Sequence, residues 1–144
     1  MTEMGISPIE SSVQKTREWV DQVRDLLELE TREDAYSCLR GVLHSLRDRL
    51  TVDQASHLAA QMPMVLTGMF FENWKPSGMP DKIKEPGEFL NRVRSEMMDR
   101  KNIDPRRATW GVWKTMEKYI AQGELNKLKA GMPEHLSNFF DFDG

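Results

Sequence analysis

The chain has 144 residues, of which 39% are hydrophobic and 30% charged, and its formal net charge is −3. This composition is typical of a soluble globular protein; it excludes a disordered chain, which has far fewer large apolar side chains, and a general polyanion binder, which is strongly basic. The single cysteine excludes an intramolecular disulfide and agrees with a reducing compartment. We therefore expect a cytoplasmic protein with no nucleic-acid or membrane partner, since the sequence has neither a signal peptide nor an apolar run of the ~20 residues that span a bilayer.

The first half of the chain is predicted to form helices. Ser7-Pro8-Ile9-Glu10 has the pattern of a capping box with a serine cap, Thr31 starts a second helix, and Thr51-Val52-Asp53-Gln54 is a further capping box. Pro63 lacks an N–H, so it either breaks the third helix or begins a short fourth one. No strand-like alternation occurs, which predicts an all-α fold.

A proline- and glycine-rich stretch follows, after which helix signals resume. Asp104-Pro105 reads as a cap and a first helical residue, and Pro133 opens a short terminal helix. The predicted organisation is a first helical unit over residues 1–71, a linker over 72–85, and a second helical unit with an acidic-aromatic tail over 86–144.

The two predicted units share a sequence pattern. The segment 58–66 returns as 128–136, a spacing of 70 residues, and Phe70 and Phe140 extend the match. Along the second helix of each unit the spacing shifts to 73, as in Ala35 and Ala108. The repeat predicts a pseudo-duplicated helical bundle in which two similar units of three to four helices pack together.

Three segments carry a resemblance to a known family. They are Leu46-Arg47-Asp48-Arg49-Leu50, the following Ala60-Gln61-Met62-Pro63, and Gly68-Met69-Phe70-Phe71-Glu72-Asn73-Trp74. Together they resemble the bacterial domain-of-unknown-function family 2267, from about Val13 to Phe140. The resemblance implies an all-helical bacterial cytoplasmic protein, and it transfers no activity, cofactor or catalytic residue.

One constellation has metal-ligand spacing. His44 and Asp48, and then Asp53 and His57, form two i, i+4 pairs that mirror each other about a turn. At 100° per residue, however, both pairs point away from the apolar stripes of their helices and away from each other. We therefore expect no metal site, with each histidine paired to its aspartate along the helix.

Catalysis has little support in the sequence. Cys38 has no histidine three or four residues away, which is typical of a packed cysteine rather than a nucleophile. No catalytic triad order, glycine-rich phosphate loop or Cys-x-x-Cys motif occurs. We expect a protein that is not an enzyme and that has no cofactor.

Tyr36, Arg40 and Arg47 form a polar stripe beside the apolar face of the second helix. Arginines in such a position grip a carboxylate or phosphate with two parallel hydrogen bonds, or they form ion pairs with the acidic residues of 28–34. Both interpretations stay open, so these three residues are candidate anion or partner contacts. A basic run over residues 92–107 either meets an acidic partner or is a solvated helix face.

Four aromatic residues are candidates for a partner surface: Trp74, Trp110, Trp113 and Phe142. Trp113 and Trp110 lie off the inward stripe of their helix, and they meet the other unit, the linker around Trp74, or a partner. Phe142 has no counterpart in the repeat, so the tail is either a docking segment or a frayed end.

We expect a non-enzymatic protein-interaction or stress-associated accessory module. The alternative is a small-molecule or anion-binding regulatory protein that uses the cleft between the two repeat units. The sequence identifies neither the partner nor the oligomeric state.

Overall fold

The computed structural model describes residues 6–97 and 102–142. Within these ranges the chain forms eight α-helices and no strand, which confirms the all-α prediction. The helices are α1 (Ser7–Leu27), α2 (Arg32–Arg47), α3 (Val52–Ala59), α4 (Met64–Phe70), α5 (Pro86–Glu96), α6 (Pro105–Tyr119), α7 (Gln122–Ala130) and α8 (Glu134–Phe139). No helix in the described part of the chain has the length and apolar character that a membrane crossing requires.

Capping interactions begin several of these helices as predicted. The Thr31 hydroxyl accepts a backbone amide at the start of α2, and Thr51 forms a reciprocal capping box with Gln54 at the start of α3. The prediction for α1 was wrong, because Ser7 is already helical and no side chain caps this end. Instead the carbonyl of Ile6 accepts the first two amide bonds of the helix, so α1 begins one residue earlier than its sequence pattern suggests.

Helix α2 is the central element of the fold. It packs against α1, α4, α5 and α6, and every residue from 41 to 50 is buried. Because neighbours surround its C-terminal half, positions that helical phase assigns to an outward face lie inside the protein. This arrangement determines the surroundings of the polar residues described below.

Aromatic side chains fill the core where α5, α6 and α8 meet. The ring of Trp113 is buried, with its centroid 4.8 Å from that of Phe140, and Phe140 also packs edge-on against Phe89. Trp113 therefore cannot form part of a partner surface, contrary to prediction. The reason is that α6 packs against α1, α2 and α5, so both of its apolar faces are covered.

Two glycines allow close approach between helices. A Cβ on Gly41 of α2 would lie 2.7 Å from Cγ of Met97, and a Cβ on Gly111 of α6 would lie 2.7 Å from Cδ2 of Leu27. Any larger residue at either position requires the neighbouring side chain to move. The end of α5 thus rests on α2, and the end of α1 rests on α6.

Candidate functional site

The motif Arg47-Asp48-Arg49 at the end of α2 links this helix to other segments of the chain through hydrogen bonds. The Arg47 side chain is only 5% exposed, and its Nη1 donates to the carbonyls of Phe70 and Glu72, each at 2.8 Å. Arg47 therefore satisfies the last carbonyl of α4, which has no partner within the helix, and a carbonyl just after it. This corrects the prediction of Arg47 as an anion or partner contact, because its Nη1 is bonded to these carbonyls and its Nε to Asp48.

Asp48 is the centre of this polar network. Its carboxylate is 2% exposed and accepts hydrogen bonds from Arg47 Nε at 2.9 Å and from Arg92 Nη2 at 2.5 Å. The backbone carbonyl of Asp48 accepts the amide of Asp81 at 2.7 Å, and Arg49 donates to the Oδ1 of Asp81 at 3.1 Å. Asp48 thus joins α2 to α5 and to the predicted linker.

His44 lies inside the protein rather than on the outward face that helical phase predicted. Its Nε2–H donates to the carbonyl of Met69 at 2.7 Å, and burial lowers the pKa of the imidazole. The predicted pairing with Asp48 is wrong, since both side chains have other partners. Within the described ranges, no three histidine, cysteine or acidic side chains are grouped to hold a metal ion.

The buried His44 gives the protein a specific pH dependence. Because its pKa is lowered in the folded state, only the unfolded chain takes up this proton as the pH falls below about 6.5, so stability falls with it. We expect His44→Gln, which retains a donor for the Met69 carbonyl, to lose less stability between neutral pH and pH ~5 than the wild type does. Urea denaturation at both pH values measures this, with the exposed His57→Gln as control. An unchanged pH dependence in His44→Gln would contradict the assignment.

Tyr36 and Arg40 remain accessible, and they line a cavity of about 500 Å³ between α1 and α2. We call this cavity the larger chamber. Its wall is mostly apolar, and it includes Val20 of α1 and Glu96 of α5. The side chains that line it are Thr16, Arg17, Val20, Arg32, Glu33, Tyr36, Ser37, Arg40 and Glu96.

A second cavity of about 250 Å³ lies between α2, the segment 73–79 and α5. We call it the smaller chamber, and it adjoins the larger one, since Arg40 and Glu96 line both. Its wall is more polar than apolar. The lining residues are Arg40, His44, Arg47, Asp48, Asn73, Lys75, Met79, Arg92 and Glu96.

Arg40 stands where the two chambers meet. Its side chain is 21% exposed, and its Nε lies 3.6 Å from a carboxylate oxygen of Glu72, which is itself 53% exposed. This pair replaces the predicted ion pair with residues 28–34. Burial and, next, the Glu72 carboxylate raise the pKa of Tyr36, so its hydroxyl stays protonated and can donate a hydrogen bond.

The other predicted aromatic residues do not line this cleft. Trp74 is half-buried, with its ring 4.7 Å from that of Phe71, and the Arg107 guanidinium lies 5.6 Å from the Trp110 ring. Phe142 is also half-buried, and its ring centroid lies 5.5 Å from that of Phe139, so it has a packing role that the sequence did not suggest. Residues 143–144 of the predicted tail lie outside the described residues.

Most cleft residues were not among the sequence candidates, and these include the charged residues Lys75, Arg92 and Glu96. Arg92 belongs to the basic run over 92–107, but it pairs with Asp48 and Glu96 and is not part of a fully solvated face. Residues 98–101 of that run lie outside the described part of the chain. No sequence signal connects Lys75 to the cleft, because the folded path of segment 73–79 brings it there.

The fold and the cleft define an all-helical protein with an arginine-lined cavity. The sequence pattern of DUF2267, a family of uncharacterized conserved proteins, matches residues 16–139. The chain belongs to this family, which confirms the resemblance. A comparison with curated proteins finds no match.

Proposed function

We propose that this protein is a non-enzymatic binding module whose site is the cleft around Tyr36 and Arg40, and that its ligand carries an anionic group. The observation that supports this proposal is the charge of the smaller chamber. Four cationic side chains line it against the carboxylates of Asp48 and Glu96, and Glu72 pairs with Arg40 beside it, so cations still outnumber carboxylates, although the whole chain has a net charge of −3. A polar cavity with a local excess of positive charge favours a carboxylate or phosphate.

Arg40 is the residue that we propose contacts the ligand. Its guanidinium presents donors in a planar fork that suits two parallel bonds to a carboxylate or phosphate. The competing Glu72 is more than half exposed, and exposed pairs contribute at most about 1 kcal/mol. A ligand can therefore displace Glu72 at small cost.

The histidine chemistry of the cleft supports binding rather than catalysis. Among the described residues that line the cleft, His44 is the one histidine, and its Nε2 is bonded to the Met69 carbonyl. A general base needs to reach the proton that it removes, whereas burial leaves His44 almost no accessible surface.

We expect Arg40→Met to abolish anion binding. Thermal-shift measurements with inorganic phosphate, nucleotides and small organic acids test this, because a ligand at 100 times its Kd stabilises a protein by about 2.7 kcal/mol. Arg94→Met is the matched control, since Arg94 is exposed on α5 and lines neither chamber. Stabilisation of all three proteins to the same extent would contradict the proposal.

A protein partner is the second candidate function, as an interaction or stress-associated accessory module. The observation in its favour is a set of exposed apolar side chains where α1 and α4 begin: Ile6, Ile9, Met64 and Val65. A hydrogen bond of 2.8 Å from the Val65 amide to Ser12 Oγ holds α4 against α1, one turn from Ile9. A partner that binds there would bind the Arg40→Met variant and the wild type with equal affinity.

We also infer that the two halves are copies of one four-helix unit. Gly41 and Gly111 are 70 residues apart, as are Leu27 and Met97, and each glycine receives the side chain of the other half. Such an exchange of equivalent contacts is expected when two copies pack about a pseudo-twofold axis. These contacts have a spacing of 70, whereas the starts of α2 and α6 lie 73 residues apart, which is the spacing of the predicted shift.

The glycine contacts predict that alanine substitutions at different helical glycines have different effects on stability. We expect Gly41→Ala and Gly111→Ala each to lower the free energy of unfolding by about 1–3 kcal/mol through overpacking. Gly68→Ala in α4, where a Cβ meets nothing within 4 Å, is expected to stabilise by up to about 1 kcal/mol. Chemical denaturation of the three variants measures this. If Gly41→Ala and Gly111→Ala behave like Gly68→Ala, the close packing is wrong.

A bacterial cytoplasmic setting is part of the proposal. It is supported by the cysteine count, since the chain has one cysteine and therefore no intramolecular disulfide, and disulfides are rare in reducing compartments. The unit boundaries at residues 71 and 85 stay predictions.

A further inference from the structure

We infer that the ligand of this cleft is an organic acid with an apolar body, whose carboxylate or phosphate lies in the smaller chamber and whose body lies in the larger one. The inference rests on the proposed function, in which Arg40 recognises an anion. It adds that the neutral part of the ligand is recognised too, and that the two parts occupy different chambers.

The larger chamber suits an apolar group. Its volume is about 500 Å³ and its wall is mostly apolar, although several charged residues line it. Arginine stems supply apolar surface while their guanidinium groups reach water, and Val20 and the ring of Tyr36 add to this surface. An apolar body placed here removes apolar surface from water on both the ligand and the protein.

The smaller chamber suits the acid group. Its carboxylates already have partners, since Asp48 accepts bonds from Arg47 and Arg92, and Glu96 accepts one from Arg92 at 3.2 Å. Lys75 is exposed and makes no ion pair with any described residue. Arg40 and Lys75 are therefore the two cations with remaining capacity for an incoming anion.

The sizes of the two chambers, and the two residues that line both, support a single ligand that contacts both. Small-molecule sites in proteins commonly measure ~300–1,000 Å³ and combine apolar walls with a few polar groups. The two chambers together fall in this range, at about 500 and 250 Å³, and Arg40 lines both. A free inorganic anion would leave the larger chamber unfilled, whereas a neutral apolar molecule would leave Lys75 without a counter-charge and the fork of Arg40 bound only to the exposed Glu72.

Calorimetric titration of the full chain with octanoate, butyrate and octanol tests the inference. Each buried methylene strengthens binding by roughly fourfold, so octanoate is expected to bind at least about tenfold more tightly than butyrate. Octanol, which lacks the acid, is expected to bind at least about tenfold more weakly than octanoate. Arg40→Met is expected to reduce octanoate binding to the level of octanol without changing octanol binding, and Arg94→Met to change neither. Tyr36→Ala should reduce the difference between octanoate and butyrate.

Three other results would each contradict the inference. If octanoate, butyrate and inorganic phosphate bind with the same affinity and all require Arg40, the anion site stands and the apolar body is wrong. If octanoate and octanol bind equally and Arg40→Met changes neither, anion recognition fails, and the proposed function fails with it. Absence of binding by every probe up to its solubility limit overturns both.

Discussion

Replacing Asp48 by alanine is expected to lower the free energy of unfolding by about 3–5 kcal/mol. The carboxylate is buried between Arg47 and Arg92, and its loss leaves the Arg47 guanidinium buried without its counter-charge. Natural domains have only about 5–15 kcal/mol of stability in total, so we expect a measurable fraction of the variant to be unfolded at physiological temperature. Urea denaturation followed by circular dichroism gives the change directly.

Glu96→Gln is the matched control for Asp48→Ala. Glu96 pairs with the same Arg92 at 3.2 Å, but its side chain is 27% exposed, and such pairs contribute at most about 1 kcal/mol. The comparison separates the effect of burial from the loss of a charge. Equal costs for Asp48→Ala and Glu96→Gln would show that the network around Asp48 does not hold α2, α5 and residue 81 together.

Phe140→Ala is expected to cost about 3–5 kcal/mol. The ring is 1% exposed and contacts Phe89 and Trp113, so its removal leaves a cavity among large rigid side chains. Phe142→Ala is the matched control, because Phe142 is only half-buried at the end of the same cluster, and we expect a clearly smaller loss. Thermal and urea denaturation of both variants measure the difference, and a larger loss in Phe142→Ala would contradict the described packing.

Much of the fold could be predicted because local signals and burial agree. Thr51 and Gln54 specify the start of α3 through hydrogen bonds between near neighbours in sequence. Phe70 and Phe140 are both buried, as their shared position in the repeat suggests. Pro63 and Pro133 each precede a short helix, and the two prolines have nearly the same backbone angles. These features depend on interactions within short segments, and such interactions can be recognised from the sequence without knowledge of the fold.

The polar interior of α2 could not be predicted in the same way. Helical phase assumes one apolar face, but His44, Arg47 and Asp48 lie on a helix that four others surround. The sequence alone does not distinguish a charged residue that is buried and paired from one that lies on the surface. The available signal was the motif Arg47-Asp48-Arg49 itself, which carries the most specific part of the family resemblance.

The cleft was predictable only in part. Tyr36 and Arg40 follow from a polar stripe on one helix, because residues four apart share a face. Lys75 and Arg92 come from distant parts of the chain, and it is the packing of α5 and segment 73–79 against α2 that brings them to Arg40. No local sequence pattern predicts that packing.

Amide chemical shifts during titration with octanoate are the most direct test of the proposed site. We predict that perturbations concentrate in residues 36–40 of α2, in 72–75, and in 92–96 of α5, and that Arg40→Met removes them. Perturbations confined to Met64 and Val65, or to α3 and α7, with the cleft unchanged, would contradict the assignment of this cleft as the binding site.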